Sequence, residues 1–246
     1  AFLLIVTTFF FSKWSIFKKI LNDKKKLFIL FISGFLIFIN WGVWIYAVSV
    51  DKIIDASFGY FIMPIISVFL GNFFFKEPIT KKGKISIFLV IISVSYLLII
   101  DFNSIPWVGL IVALSWSFYN LFRKKINVET DIGLLIESLY ILPFVLVAFY
   151  FISINNYNDF SLSNPSLMPL LMLAGPMTVI PLFLYVRGVE LAGLGPAGMI
   201  FYITPTLQFI LGFFIYNEQF NINQLVSFIL IWIAVFIYLK DIYEKN

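Results

Sequence analysis

Long apolar runs alternate with short polar breaks along almost the whole chain. A hydrocarbon core about 30 Å thick is crossed by roughly 20 apolar residues in helical conformation. Nine runs approach that length: 1–17, 27–50, 54–75, 84–101, 107–123, 132–154, 167–187, 194–216 and 223–240. The connections carry the charge and turn residues, as in Asp51–Lys52, Lys76-Glu77-Pro78, Asn103–Pro106, Arg123-Lys124-Lys125 and Asn217–Asn223. The longest, Asn155–Ser166, reads as a loop between helices. The pattern predicts an all-α polytopic membrane protein with no appended soluble domain.

Charge orients these spans, because cytoplasmic loops retain Lys and Arg. Alternate connections hold Lys13 to Lys26, Lys76 to Lys84, Arg123 to Lys125, Arg187, and Lys240 with Lys245; the other side holds Lys52 alone. One span too many or too few would scramble that alternation. The reading therefore puts the carboxyl terminus in the cytoplasm and supports a cell (inner or plasma) membrane location.

Composition sharpens the class. Hydrophobic residues make up 61% and charged residues 12% of the chain, against about half and a quarter in a soluble domain. Cys and His are both absent, which removes disulfides, thiolate nucleophiles, the commonest general base and the commonest transition-metal ligands. No metal and no cofactor are expected. The basic balance is accounted for by the cytoplasmic loops, so the partners expected are the lipid bilayer and a small-molecule solute, not nucleic acid. A homodimer is compatible with this reading. The 31 Phe fit lipid-facing filler in a chain rich in Lys, Ile and Asn, a bias typical of AT-rich coding.

A shift of 141 residues aligns Ala56, Ile62, Pro64, Leu70, Gly71, Phe73 and Glu77 with Ala197, Ile203, Pro205, Leu211, Gly212, Phe214 and Glu218 without a gap, and Gly34 with Gly175 and Ser86 with Ser227. Matches of Leu or Ile between apolar helices mean little, whereas Pro, Gly and Glu at fixed spacing signal a true repeat. The shift pairs the second, third and fourth spans with the seventh, eighth and ninth, and the first with the sixth. The fifth has no mate. The expectation is a ten-helix parent of two five-helix repeats, with this chain lacking the first helix and part of the second. Residues 1–101 form the first repeat and 107–246 the second. Five is odd, so the repeats enter the membrane in opposite senses, the architecture of secondary transporters.

Asn40-Trp41, Ala47-Val48, Ala56-Ser57-Phe58-Gly59-Tyr60-Phe61-Ile62 with Pro64, Leu70-Gly71, Glu77, Ser117-Phe118-Tyr119, Arg123-Lys124-Lys125, Leu135-Ile136-Glu137, Leu142-Pro143, Tyr202-Ile203 with Pro205-Thr206-Leu207, and Phe228 to Trp232 together resemble the EamA-type members of the drug/metabolite transporter superfamily, and within them the RarD group. The resemblance covers essentially the whole chain. It implies a ten-helix inner-membrane permease with both termini cytoplasmic, and it supplies no substrate. It also implies an Arg at the repeat-equivalent of Glu137, a position that would precede Ala1.

Glu137 is the sharpest single candidate, a carboxylate within an apolar span, where charge costs a few kcal/mol unless paired, protonated or wet. It reads as a site for a substrate cation or proton, as a partner to a cation lining the path, or as an interfacial group neutralised by Arg123 or Lys124. Pro64 and Pro205 each remove a backbone donor at equivalent places and are expected to kink their helices around the cavity. Tyr60, Tyr202, Thr204, Thr206 and Gln208 flank the kinks, with interhelical bonding the commoner role for Thr206 and Gln208. Asn40, Trp41, Tyr185, Trp116 and Tyr119 add the polar groups and aromatic faces that suit an amphipathic organic solute; Trp44 and Asn120 lie beside them. Gly34, Gly71, Gly175 and Gly212 are expected at close helix contacts, and Glu77 and Glu218 as caps.

The pattern favours a secondary transporter, permease or exporter, of small organic metabolites or drug-like solutes by alternating access. No phosphate-binding Gly-Lys-Ser/Thr loop is present. A non-transporting receptor or scaffold would bind without translocating, and a membrane-embedded enzyme would need a catalytic constellation that the sequence does not offer.

Overall fold

Inside hydrocarbon a backbone N–H or C=O finds no water, so an apolar run must satisfy its own hydrogen bonds as a helix. The computed structural model describes residues 1–50, 53–101, 106–155, 167–214 and 222–244. Among these the chain forms eleven helices and no strand: α1 (Phe2–Phe10), α2 (Trp14–Leu21), α3 (Lys24–Ser49), α4 (Ile53–Phe75), α5 (Lys81–Asp101), α6 (Trp107–Ile126), α7 (Thr130–Ile154), α8 (Leu167–Ala192), α9 (Leu194–Ile200), α10 (Ile203–Phe214) and α11 (Ile222–Tyr243). Six stretches, within α3, α4, α5, α7, α8 and α11, are long and apolar enough to cross a membrane. The protein is a multi-pass membrane protein.

Two expected spans are broken. The run 1–17 stops at Phe10, because Ser12 takes a left-handed φ of 52° and Ser12 N–H and Lys13 N–H turn back to Phe9 O and Thr8 O. This is a Schellman-type close that satisfies the last carbonyls. Lys13 explains the turn: its Nζ reaches Asp131 at 2.7 Å and Glu129 at 2.8 Å, at the start of α7. Burial pulls the Lys13 pKa down, but the hydrogen bonds to Asp131 and Glu129 outweigh it, and the net shift is upward. A raised lysine pKa stabilises the fold below the ordinary lysine range and loses that contribution as pH climbs through the folded value. Thermal unfolding in detergent should therefore show no loss from this bridge between neutral and mildly alkaline pH, and a fall only above about pH 10.5; Lys13→Met should remove that alkaline step.

The run 194–216 is broken too, at Phe201–Tyr202, between α9 and α10. Pro205 thus lies in the first turn of α10 rather than at mid-helix, whereas Pro64 lies inside the continuous α4.

The chain forms two compact units, one from Ala1–Phe38 with Phe122–Leu191, the other from Ile39–Leu121 with Ala192–Asn246. The first has a core of Ile20, Leu30, Ile126, Ile132 and Ile136, with Leu4, Leu134 and Leu135 beside α1. Beyond Leu142, the rest of α7 exposes Phe144, Leu146, Tyr150 and Phe151, as a lipid-facing helix should. The second unit is built on α4 against α9 and α5 against α11, around Phe58, Val68, Val90, Met199, Tyr202 and Ile231. Glu77 closes this unit. Its carboxylate accepts Leu194 N–H and Gly195 N–H, each at 2.9 Å, at the start of α9, where the helix dipole favours an anion. Gly71, Gly193 and Gly195 leave the space it occupies. The expected cap is thus present for Glu77; Glu218 lies outside the described residues. Glu77→Ala should cost about 1–2 kcal/mol, read as a lower unfolding temperature in detergent.

Candidate functional site

The first unit holds a buried ionic cluster. Arg123, in the last turn of α6, and Glu137, two turns into α7, are 1% and 2% exposed. Arg123 Nη1 lies 3.6 Å from Glu137 Oε1, and Nη2 lies 3.5 Å from Glu190 Oε1 on α8. Arg123 Nη2 also donates to Thr130 O at 3.2 Å. Ser33 Oγ of α3 donates to Glu137 Oε1 at 2.5 Å. Glu190 Oε2 receives the Thr130 hydroxyl at 2.6 Å and Arg187 Nη1 at 3.3 Å. Glycine makes the room. A β-carbon on Gly133 would collide with the Arg123 guanidinium, and one on Gly34 would lie 3.3 Å from Glu137 Cα. Glu137 is therefore the partner of Arg123.

The second unit holds an aromatic group at the α9–α10 break. Ring centroids run from Trp44 to Tyr60 at 5.3 Å, Tyr60 to Phe201 at 5.6 Å, Phe201 to Trp116 at 5.9 Å and Trp116 to Tyr119 at 6.2 Å. Pro64 and Pro205, both buried, account for its centre. A proline at position i withdraws the donor that the carbonyl at i−4 would receive, and here those carbonyls belong to Tyr60 and Phe201. Phe201 O is served instead by Thr204 N–H at 2.9 Å. Backbone freed from the helical ladder and aromatic faces thus lie together.

Of the residues singled out from sequence, Tyr60, Trp116 and Tyr119 join this group, with Pro64 and Pro205 shaping it. Asn40 is buried but spends its amide on α6, donating to Val112 O at 2.9 Å and Ser115 Oγ at 3.0 Å. Tyr202 is buried and donates to Phe61 O at 2.8 Å, tying α4 to the break. Trp41 is 39% exposed and joins none of the described ring contacts. Tyr185 is half-buried on α8 in the first unit. Thr206 acts as interhelical glue, bonding back to Tyr202 O and accepting Trp232 Nε1; the Gln208 side chain lies outside the described residues. Gly34 and Gly71 sit at close contacts as expected, Gly175 faces open space, and Gly212 is outside the described side chains.

Arg123 is named from sequence as one possible neutraliser of Glu137, and the structure pairs them. Two residues of these groups escaped the sequence reading: Glu190, which shares the Arg123 guanidinium, and Phe201, one Phe among 31. Signals for both were present. Arg123 and Arg187 are the only arginines beside 15 lysines, and both reach Glu190. Phe201 lies 141 residues after Tyr60, the same shift that aligns Pro64 with Pro205.

Comparison with known proteins matches the model of the EamA-like transporter family to residues 1–99 and 104–240. "Protein RarD" of Escherichia coli (strain K12) is 33% identical over 240 residues, spanning 98% of this chain and 81% of the relative. "Uncharacterized transporter YojE" of Bacillus subtilis (strain 168) is 32% identical over 240 residues, covering 95% and 78%. "Chloramphenicol-sensitive protein RarD" of Pseudomonas aeruginosa is 26% identical over 204 residues, covering 83% and 67%. With a buried ion cluster and an aromatic-lined helix break set in a multi-pass helical frame, and with a family match over nearly its full length, this chain belongs to the EamA-like transporter family.

Proposed function

We propose that the chain is a secondary transporter that moves small, amphipathic organic solutes across the cytoplasmic membrane by alternating access. Its binding site is the aromatic group around Tyr60, Phe201 and Trp116, and its architecture is a pair of inverted repeats with the carboxyl terminus cytoplasmic. The observation that carries this reading is how α5 meets α11. Ser86 Oγ donates to Ala234 O at 2.5 Å and Ser93 Oγ bonds Ser227 O at 2.8 Å. The 141-residue shift takes 86 to 227 and 93 to 234, so it exchanges one contact for the other. A contact of residue i with j, mirrored by a contact of j's mate with i's mate, is the signature of a two-fold axis. The pairing runs antiparallel, as inverted repeats require.

Helix bounds support the same reading. α4 starts at Ile53 and α9 at Leu194, α5 at Lys81 and α11 at Ile222, each pair 141 apart. Each compact unit also contains its own shifted image: 1–38 maps to 142–179, and 192–246 maps back to 51–105. The chain has no cysteine, so the pairing is directly testable. Ser86→Cys with Ala234→Cys should form a disulfide on mild oxidation.

Function is tested by screening a panel of amino acids, nucleosides, amphipathic metabolites and aromatic antibiotics for thermal stabilisation of the purified protein, then measuring flux of each hit into liposomes. One relative carries sensitivity to an aromatic antibiotic in its name, which makes that class an early choice. A ligand of the folded state raises the unfolding temperature by mass action. Tyr60→Ala and Trp116→Ala should each weaken a hit about tenfold, equivalent to about 1.4 kcal/mol. Binding without flux would favour a receptor, and hits indifferent to both substitutions would remove the aromatic group from the site.

A further inference from the structure

The ionic cluster has a hydrogen-count problem that points to its use. Ser33 Oγ lies 2.5 Å from Glu137 Oε1 and 3.1 Å from Leu30 O. A serine hydroxyl has one hydrogen to give, and a backbone carbonyl can only accept. With Glu137 ionised, the hydrogen goes to the carboxylate, at the short distance usual for O–H···O⁻, and the Leu30 contact goes unmade. With a proton on Glu137, the carboxyl donates to Ser33 Oγ while Ser33 donates to Leu30 O, and both contacts are made at once. Glu137 therefore has suitable partners in either protonation state.

Charge says the same. Glu137 and Glu190 both approach Arg123 at about the same distance, 3.6 and 3.5 Å. Glu190 also holds the half-exposed Arg187 and the Thr130 hydroxyl. Among the described contacts, Glu137 meets Arg123 from α6, Ser33 and the backbone of Gly34 from α3, and, through Arg123, Glu190 of α8. Lys13, Glu129 and Asp131 form a separate bridge at the start of α7.

We propose that Glu137 takes up and releases one proton in the transport cycle, with Ser33 as the hydroxyl that reorients with it and Arg123 as the counter-cation. The step is a simple acid–base exchange. A proton from water forms the O–H bond at Oε1 and leaves by the reverse, while Arg123 stays charged throughout. The mechanical consequence follows from which ties survive. In the ionised state the guanidinium binds α6 to both α7 and α8; once Glu137 is neutral, the ionic tie to α7 is lost, leaving the hydrogen bond to Thr130 O at the start of that helix, while the tie to Glu190 of α8 remains. Protonation thus loosens one helix pair selectively, as a coupling ion must bias a two-state element. This inference rests on the transport reading, and its test is built to fail separately from it.

Infrared difference spectra of the purified protein, recorded between about pH 8 and about pH 5, need neither solute nor flux. A carbonyl stretch of a newly protonated carboxyl is expected. It should vanish in Glu137→Gln and persist in Asp131→Asn. It should change frequency in Ser33→Ala, which keeps the carboxyl if Glu137→Gln does not fold. In Glu190→Gln the band should need a more acid pH to appear, because Arg123 then serves Glu137 alone; a merely structural Glu190 would leave it unmoved. Absence of the band from the wild-type chain, or its persistence in Glu137→Gln, overturns the proposal. In liposomes, an imposed proton gradient should alter wild-type solute flux at least severalfold and leave Glu137→Gln indifferent. Wild-type flux that ignores the gradient also overturns it while leaving transport intact. Absence of flux for every solute that binds would sink the transport reading, and the infrared result would still decide the proton site.

Discussion

Replacing Arg123 with methionine is expected to lower stability by about 3–5 kcal/mol, the usual consequence of removing one partner from a buried ion pair. The magnitude follows from what remains. Glu137 is left in a fully buried place, and the Thr130 carbonyl loses its guanidinium donor. Glu190 keeps Arg187 and the Thr130 hydroxyl, so most of the loss falls on Glu137. Lysine is not a remedy, because one ammonium cannot reproduce the guanidinium fork that reaches Glu137 through Nη1 and Glu190 through Nη2. The cost should shrink when Arg123→Met is combined with Glu137→Gln, since the combination no longer strands a charge. Unfolding of the purified protein in detergent, followed for the single and double variants, checks both parts. A single variant within about 1 kcal/mol of wild type, the range of an exposed ion pair, would mean that the guanidinium does not hold these three helices together.

The contrast between Arg123 and the apolar runs shows what the sequence made legible. Hydrocarbon forces an apolar run into helix, so the helical stretches from α3 to α8 and in α11 lie close to their expected bounds. The 141-residue shift read from sequence is also the spacing between the starts of α4 and α9 and between those of α5 and α11. A hydropathy reading sums residues and is blind to a turn made inside the sum. It therefore missed the close at Ser12, which depends on Lys13 meeting carboxylates more than a hundred residues away. It missed the break at Phe201–Tyr202 for a related reason. Pro64 and Pro205 match in sequence, but one is carried inside a helix and the other lies in the first turn of one, a difference that hydropathy and spacing do not register. The positive-inside argument treats every basic residue as a loop charge, so Arg123 was read only as an interfacial neutraliser of Glu137, and its burial and its sharing with Glu190 were not foreseen. The candidate site was half legible: Tyr60, Trp116 and Tyr119 come together in space, whereas Asn40 and Tyr202 spend their polar groups on holding helices in place.

Gly59→Ala is expected to destabilise the second unit by about 1–3 kcal/mol, the range for overpacking a tight contact, and to cost solute binding as well. A β-carbon at Gly59 would fall 2.5 Å from Gly109 O on α6 and 3.1 Å from the Val112 side chain. The first of these is backbone, so no rotamer change can make room and α4 must move away from α6. The aromatic group is strung across the same two helices, with Tyr60 next to Gly59 on α4 and Trp116 two turns beyond Gly109 on α6. Both rings reach Phe201, so separating the helices pulls the group apart. Val112→Ala in the same chain should recover only a small part of the loss, because it removes the Cγ1 contact and leaves both the Cβ and the Gly109 carbonyl. The comparison that makes this decisive is with Gly42, Gly175 and Gly188, where an added β-carbon meets nothing within 4 Å. Alanine at those positions should be neutral or stabilising by up to about 1 kcal/mol, through helix propensity alone. Unfolding temperatures of the four alanine variants in one detergent give the ranking. If Gly59→Ala were as stable as Gly42→Ala, the α4–α6 approach would not be the constraint that holds Tyr60 and Trp116 against Phe201.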